Sequence, residues 1–232
     1  MERRRLTRYR LRRRLTTTVL CIAAASFGPA LAAERVPLLS EARTRGPYYA
    51  DLEAPGALDE ALRVVSDGSE VVLLHGNEYR ARMLINLVAQ LNGIGVDHIL
   101  LLSFDRWLCD ALRRAGRVGC VHSSYLTGAG NDTSGSLAAR ADAWELAPRY
   151  RAWITKLYYM RLVLEKGVRI LALDSDVVVG ADPYESLRGA FGQYSLITAY
   201  DTKGGFANIN VGVLYLQNVS IGGPVHGLFL EF

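Results

Sequence analysis

The chain has 232 residues, half of them hydrophobic and 22% charged, which excludes a disordered or low-complexity protein and suits one α/β domain plus a targeting segment. The formal net charge of +4 sits in a tail: residues 1–14 hold eight arginines against Glu2, leaving the rest of the chain at −3. A slightly acidic body lacks the electrostatic footprint of a nucleic-acid binder, so no nucleic acid is expected as a partner.

After the basic tail (1–14), residues 15–33 carry no charge and match the length of a membrane-spanning helix. Ala30-Leu31-Ala32 within it also has the small-x-small form of a signal-peptidase site. The arginines hold the N-terminus in the cytosol, so either reading carries the body across a membrane. The expectation is a single-pass type II Golgi protein with a lumenal domain, or a secreted one if the signal is cleaved. Two sequons, Asn131-Asp132-Thr133 and Asn218-Val219-Ser220, point the same way. The cysteines, Cys21, Cys109 and Cys120, are too few for a disulfide scaffold. With Cys21 in the N-terminal apolar run, Cys109 and Cys120 are the one possible pair in the body, and they read most simply as small buried hydrophobes.

Residues 34–68, rich in Pro, Gly and charge, suit a stem leading into a helix over 58–65. An alternation of strands and helices fills 69–232. Continuous apolar runs predict strands over 71–75, 98–102, 118–121 and 168–173, and further strands over 194–199 and 211–216. Helical spacing predicts helices over 79–91, 105–114, 148–165 and 183–191. The stretch 123–136 reads as a polar loop, and Asp105 as a helix N-cap. Such alternation implies right-handed crossovers and a mostly parallel, Rossmann-like sheet whose ligands bind at the carboxyl ends of the strands.

Leu173-Asp174-Ser175-Asp176-Val177 stands at one such end. In an extended segment the side chains of Asp174 and Asp176 point the same way, and their repulsion calls for a cation. Carboxylate oxygens suit Mn²⁺ or Mg²⁺, with positions left open for a diphosphate. The bland alternative is a pair of aspartates capping a strand-to-turn junction. An apolar setting would make uncompensated carboxylates costly, which favours the functional reading.

Here the sequence resembles a known family. Trp153-Ile154-Thr155-Lys156, then Gly167 through Val178, then Asp182-Pro183, resemble the nucleotide-diphospho-sugar transferase domain of plant and algal cell-wall glycosyltransferases, glycosyltransferase family 77. Asn208-Ile209-Asn210-Val211-Gly212-Val213-Leu214-Tyr215 resembles the family's N-x-G-aromatic strand. Val71–Asn77 and the span from Asn86 to Asp105 are similar to its first βαβ unit. The resemblance covers about residues 71–232. It implies an A-type glycosyltransferase fold, a divalent metal on Asp174 and Asp176, a UDP-sugar donor, and a glycan or glycoprotein acceptor. It also implies a retaining hexosyl or pentosyl transfer. By position, Gly76 and Asn77 would lie at the nucleotide and Lys156 and Ser175 at the donor phosphates, with Asn210 and Gly212 on the sugar or acceptor side. Lys156 as a solvated helix lysine, and Asn210 and Gly212 as a strand-end turn, are the competing readings. His75 reads as structural, and Trp153, Tyr158 and Tyr159 as packing. The family domain continues beyond the N-x-G strand, so the chain reads as C-terminally truncated, and His226 follows that strand too soon to be assigned as a metal ligand.

Two rivals share the Asp174-x-Asp176 pattern. One is a haloacid-dehalogenase-like phosphatase with Asp174 as nucleophile and Asp176 as acid/base. The other is an inactive, membrane-anchored sugar-nucleotide-binding relative. No phosphate loop or dinucleotide fingerprint follows the first strand.

Overall fold

The computed structural model describes residues 48–67, 69–103, 106–115, 118–123, 148–201 and 208–230. All of them belong to one compact unit, Pro37–Phe232. The basic tail, the 15–33 segment with Cys21, the Asn131 sequon, Asp105 and the polar loop after Ser123 lie outside the described residues. Among the described residues, no helix is long and apolar enough to cross a membrane.

The strands are β1 (Tyr49–Asp51), β2 (Glu70–Gly76), β3 (Ile99–Ser103), β4 (Gly119–His122), β5 (Arg169–Leu173), β6 (Leu196–Asp201) and β7 (Asn208–Leu216). They form one sheet in the order β1-β4-β3-β2-β5-β7-β6. β1, β4, β3, β2 and β5 run parallel, while β7 is antiparallel to both β5 and β6. The α/β expectation of a mostly parallel sheet with flanking helices holds.

The continuous apolar runs have a simple cause. On β2, Val72 and Leu74 enter one core while Val71 and Leu73 enter the other. Ile99 and Leu101 of β3, and Leu171 and Leu173 of β5, share the first core; Leu100, Leu102, Ile170 and Ala172 share the second. A strand covered on both faces alternates without ever presenting a polar residue. α2 (Ala81–Gly93), α3 (Arg106–Ala115) and Tyr184 of α5 (Pro183–Phe191) cover the first face. α1 (Ala57–Val65), α4 (Pro148–Glu165) and Phe229 of α6 (Pro224–Leu230) cover the second. The Asp182-Pro183 pair has a local role: the Asp182 carboxylate accepts the Tyr184 N–H at 2.8 Å, with Pro183 in the first turn of α5. Gly167, at φ 73°, ends α4 as only glycine does cheaply.

Two expectations change. The stretch read as stem contributes β1, which pairs with β4 through Tyr49↔Cys120, ahead of the expected helix, α1, whose Ala61, Leu62 and Val65 are core residues. Three residues are too few to show a strand period, so the sequence hid β1. Cys109 and Cys120 form a disulfide rather than standing as separate hydrophobes. α3 folds back onto the strand it leads into, which brings the two Cα atoms to 5.4 Å. Such a short-loop staple contributes on the order of 2–4 kcal/mol.

Candidate functional site

β2 has β3 on one side and β5 on the other, so the direction of strand succession reverses between β2 and β5. The carboxyl ends flanking such a switch point leave a crevice, the usual ligand position in open α/β sheets. Gly76 and Asn77 follow β2, and Asp174-Ser175-Asp176 follows β5. Because β7 runs the other way, its first residues, including Asn210 and Gly212, arrive at this same edge. The fold thus gathers every expected site residue along one rim.

Asp174 is fixed from several directions. Its N–H donates to Gly212 O at 2.8 Å, and its carbonyl accepts the Val177 N–H at 3.1 Å. The second bond closes a turn over Asp174–Val177, so the two carboxylates are joined by a turn, not by the extended alternation expected from sequence. Asp174 and Ser175 are half-buried and Asp176 is exposed.

Behind the turn lies Lys156, 1% exposed. Its Nζ donates to Asp174 Oδ1 at 2.8 Å and to Val211 O at 2.5 Å. The solvated-lysine reading is therefore excluded. Burial pulls the ammonium below the usual lysine range, and the charges of Asp174 and Asp176 oppose that pull. The cation that Asp174 requires is supplied by the chain itself, which removes the argument that the apolar setting alone demands a metal. His75 brings Nε2 to 3.4 Å from the same Oδ1. Burial, helped by the Lys156 charge, lowers its pKa to about 3, so the imidazole is neutral at physiological pH.

The other carboxylate oxygen faces β7. A side chain at Gly212 would come within 3.0 Å of Asp174 Oδ2 and 2.8 Å of Asn210 Oδ1. Glycine there lets the carboxylate approach the backbone, and Asn210 Oδ1 accepts the Gly212 N–H at 2.7 Å. The register between β6 and β7 jumps at this point: Thr198 faces Leu214, whereas Ala199 faces Asn210. Residues 211–213 are thereby released from β6 and turn Val211 O toward Lys156 and Gly212 O toward Asp174. Thr198 Oγ1 donates to Asn210 O at 2.6 Å and secures the bulge.

At the end of β2, a Cβ on Gly76 would meet Leu84 Cδ1 at 2.9 Å, so this glycine admits α2 to the sheet. Asn77 differs: its Oδ1 is buried and finds no hydrogen-bond partner among the described residues. A buried acceptor without a donor costs about 1–3 kcal/mol, which a ligand donor would recover. Tyr79, two residues on, is 86% exposed. Tyr159 is core, as expected, and its hydroxyl donates to Glu53 Oε1 at 3.1 Å; Trp153 is 45% exposed and so lies outside the core. Sequence reading passed over His75 as an Asp174 neighbour and Tyr79 altogether. The available signals were a histidine ending an apolar run and an aromatic just past a strand end.

A divalent cation fits the residues present. Asp174 keeps Oδ2 clear of Lys156, and Asp176 is exposed in the same turn. Two carboxylates with remaining positions filled by phosphate and water are enough for Mg²⁺ or Mn²⁺. A group of three ligand-type side chains with atoms within 4.8 Å of one another, Asp67, Glu70 and His98, lies at the opposite edge. There Arg188 pairs with Glu70 Oε2 and Tyr184 OH lies 2.8 Å from His98 Nε2, so protein groups occupy that cluster.

No protein-family model matches the chain, and no curated protein matches it. Among solved structures, the glycosyltransferase GlyE of Streptococcus pneumoniae TIGR4 is similar in its apo form, at 20% identity and a TM-score of 0.37. A second structure of GlyE is similar at 19% identity and a TM-score of 0.39. Each alignment covers 70% of this chain, which spans 37% of the length of the GlyE chains. That distance leaves the chemistry to be argued from the site alone.

Proposed function

We infer that the chain is a metal-dependent glycosyltransferase that moves a sugar from a UDP-sugar to a glycan or glycoprotein acceptor. The observation that carries this reading is the Asp174–Asp176 turn at the β2/β5 switch point, with Asp174 Oδ1 held from behind by Lys156 and Asp176 exposed. Asn77 Oδ1 supports it, since a uracil ring offers the N–H donor that this buried acceptor lacks. The exposed Tyr79 ring beside it suits stacking on a planar base. Mn²⁺ or Mg²⁺, bound by Asp174 and Asp176, would neutralise charge building on the departing diphosphate. The chain's own groups do the positioning. Lys156 fixes Asp174 Oδ1, while Oδ2 lies beside Gly212 and outside that ion pair. Gly212 admits the carboxylate to the backbone, and Asn210 orders the strand that would face the sugar. Lys156 serves the donor through Asp174, since Asp174 and Val211 O already engage its Nζ. Retention of configuration follows from the family resemblance alone.

The disulfide favours an oxidising compartment, in line with a lumenal Golgi body behind a type II anchor. Titration calorimetry of UDP, with and without Mn²⁺, tests the reading on the wild type and on Asp176→Asn. The expected result is Mn²⁺-dependent UDP binding that the substitution abolishes. Metal-independent binding, or none, overturns it. Trapping of an aspartyl-phosphate on Asp174 would establish the phosphatase instead, and UDP binding without sugar transfer by the full-length protein would establish the inactive relative.

A further inference from the structure

We propose that Asn218 carries an N-linked glycan, on the pole of the domain opposite the UDP-sugar crevice. The proposal rests on the secretory-pathway reading and adds a modification site to it. Asn218-Val219-Ser220 is a complete acceptor triplet, with no proline at the middle position. It lies just past the last residue of β7, and both Asn218 and Ser220 are exposed. Because β7 runs antiparallel to β5, its end emerges at the amino edge of the sheet, away from Asp174. A bulky glycan there leaves the crevice open.

Asn218 adopts φ 53°, the left-handed conformation that asparagine tolerates better than most residues, and the chain bends there. Its Nδ2 donates to Gly192 O at 3.3 Å. The amide carries two N–H groups and glycosylation consumes one, so an N–H donor remains on Nδ2 after modification. The Cys109–Cys120 disulfide independently points to the oxidising lumen where such transfer takes place. In the transfer, Asn218 Nδ2 bonds to the anomeric carbon of an oligosaccharide carried on a polyprenyl diphosphate. The anomeric C–O bond breaks with its electron pair leaving on the diphosphate, and Nδ2 gives one proton to a base of the transferring enzyme.

The test expresses the full chain in a eukaryotic secretory host and digests it with peptide N-glycosidase in heavy-oxygen water. The expected result is an isotope-labelled aspartate at position 218, and loss of one mobility step in both Asn218→Gln and Ser220→Ala. Ser220→Thr keeps the step, and so does Asn131→Gln. The Ser220 variants leave the left-handed Asn218 in place, so the result does not depend on glutamine tolerating that turn. An unmodified Asn218 in protein with Cys109 and Cys120 oxidised overturns the proposal and leaves the secretory reading intact. An unmodified Asn218 with both thiols free overturns the secretory reading and the proposal together.

Discussion

The two edges of the sheet both concentrate charged and polar side chains, yet they dispose of them differently. At the amino edge, Arg188 pairs with Glu70, donates to Tyr215 OH at 3.2 Å and stacks on the Tyr184 ring at 4.4 Å. Tyr184 in turn meets His98, and Gln217 donates to the carbonyls of Phe191 and Tyr194. Glu70 Oε1 and the side-chain amide of Asn92, just before β3, are left without hydrogen-bond partners there among the described residues. At the carboxyl edge, Lys156 satisfies one oxygen of Asp174, while Asp176 faces solvent and Asn77 Oδ1 waits for a donor. Groups that close on each other hold a fold together. Groups left partly open at a switch point, as Asp176 and Asn77 Oδ1 are, keep the capacity to engage a ligand.

That contrast can be broken experimentally, and the largest effect belongs to the closed edge. Arg188→Met strands the fully buried Glu70 carboxylate and should cost about 3–5 kcal/mol in urea unfolding, with UDP affinity unchanged in the folded protein. Lys156→Met should cost less, about 2–3 kcal/mol, because Asp174 keeps some solvent contact, yet should eliminate Mn²⁺-dependent UDP binding by calorimetry. Equal loss of binding in both variants would erase the distinction between the edges. Gly212→Ala drives a methyl toward two carbonyl-type oxygens and should cost about 1–3 kcal/mol, with transferase activity falling further than stability.

Next comes a pH effect. The His75 pKa lies near 3 when folded and near 6.5 when unfolded, so over that interval the unfolded chain takes up a proton that the folded one refuses. Stability should therefore fall as pH drops below 6.5, with a slope from this group approaching about 1.4 kcal/mol per unit. His75→Gln should flatten that slope in urea midpoints measured against pH. The smallest effect on folding is at Asp176→Asn, within about 0.5 kcal/mol, since the side chain is exposed. This is the substitution expected to cost function without cost to the fold.

Much of this was legible in the chain. Runs such as Val71-Val72-Leu73-Leu74 could only be strands buried on both faces, and the helices over 148–165 and 183–191 have the bounds their spacing gave. The candidate rim was legible because strand ends in such a sheet converge on one edge. Tertiary partners were not legible. Nothing local to Lys156 announces that its ammonium turns inward to Asp174, eighteen residues later. The register jump opposite Thr198 arises from a pairing between strands, and pairing leaves no mark on composition. The Cys109–Cys120 bond required knowing that α3 doubles back over β4.

The register jump has one more consequence. Residues 211–213 are tied inward to Asp174 and Lys156 while unpaired with β6, so the acidic turn takes its backbone support from β7, which β6 steadies at the bulge through Thr198 and Asn210. The backbone that holds the acidic turn is thus supplied by one strand of the sheet, with the edge strand bracing that strand's bulge through a side-chain bond.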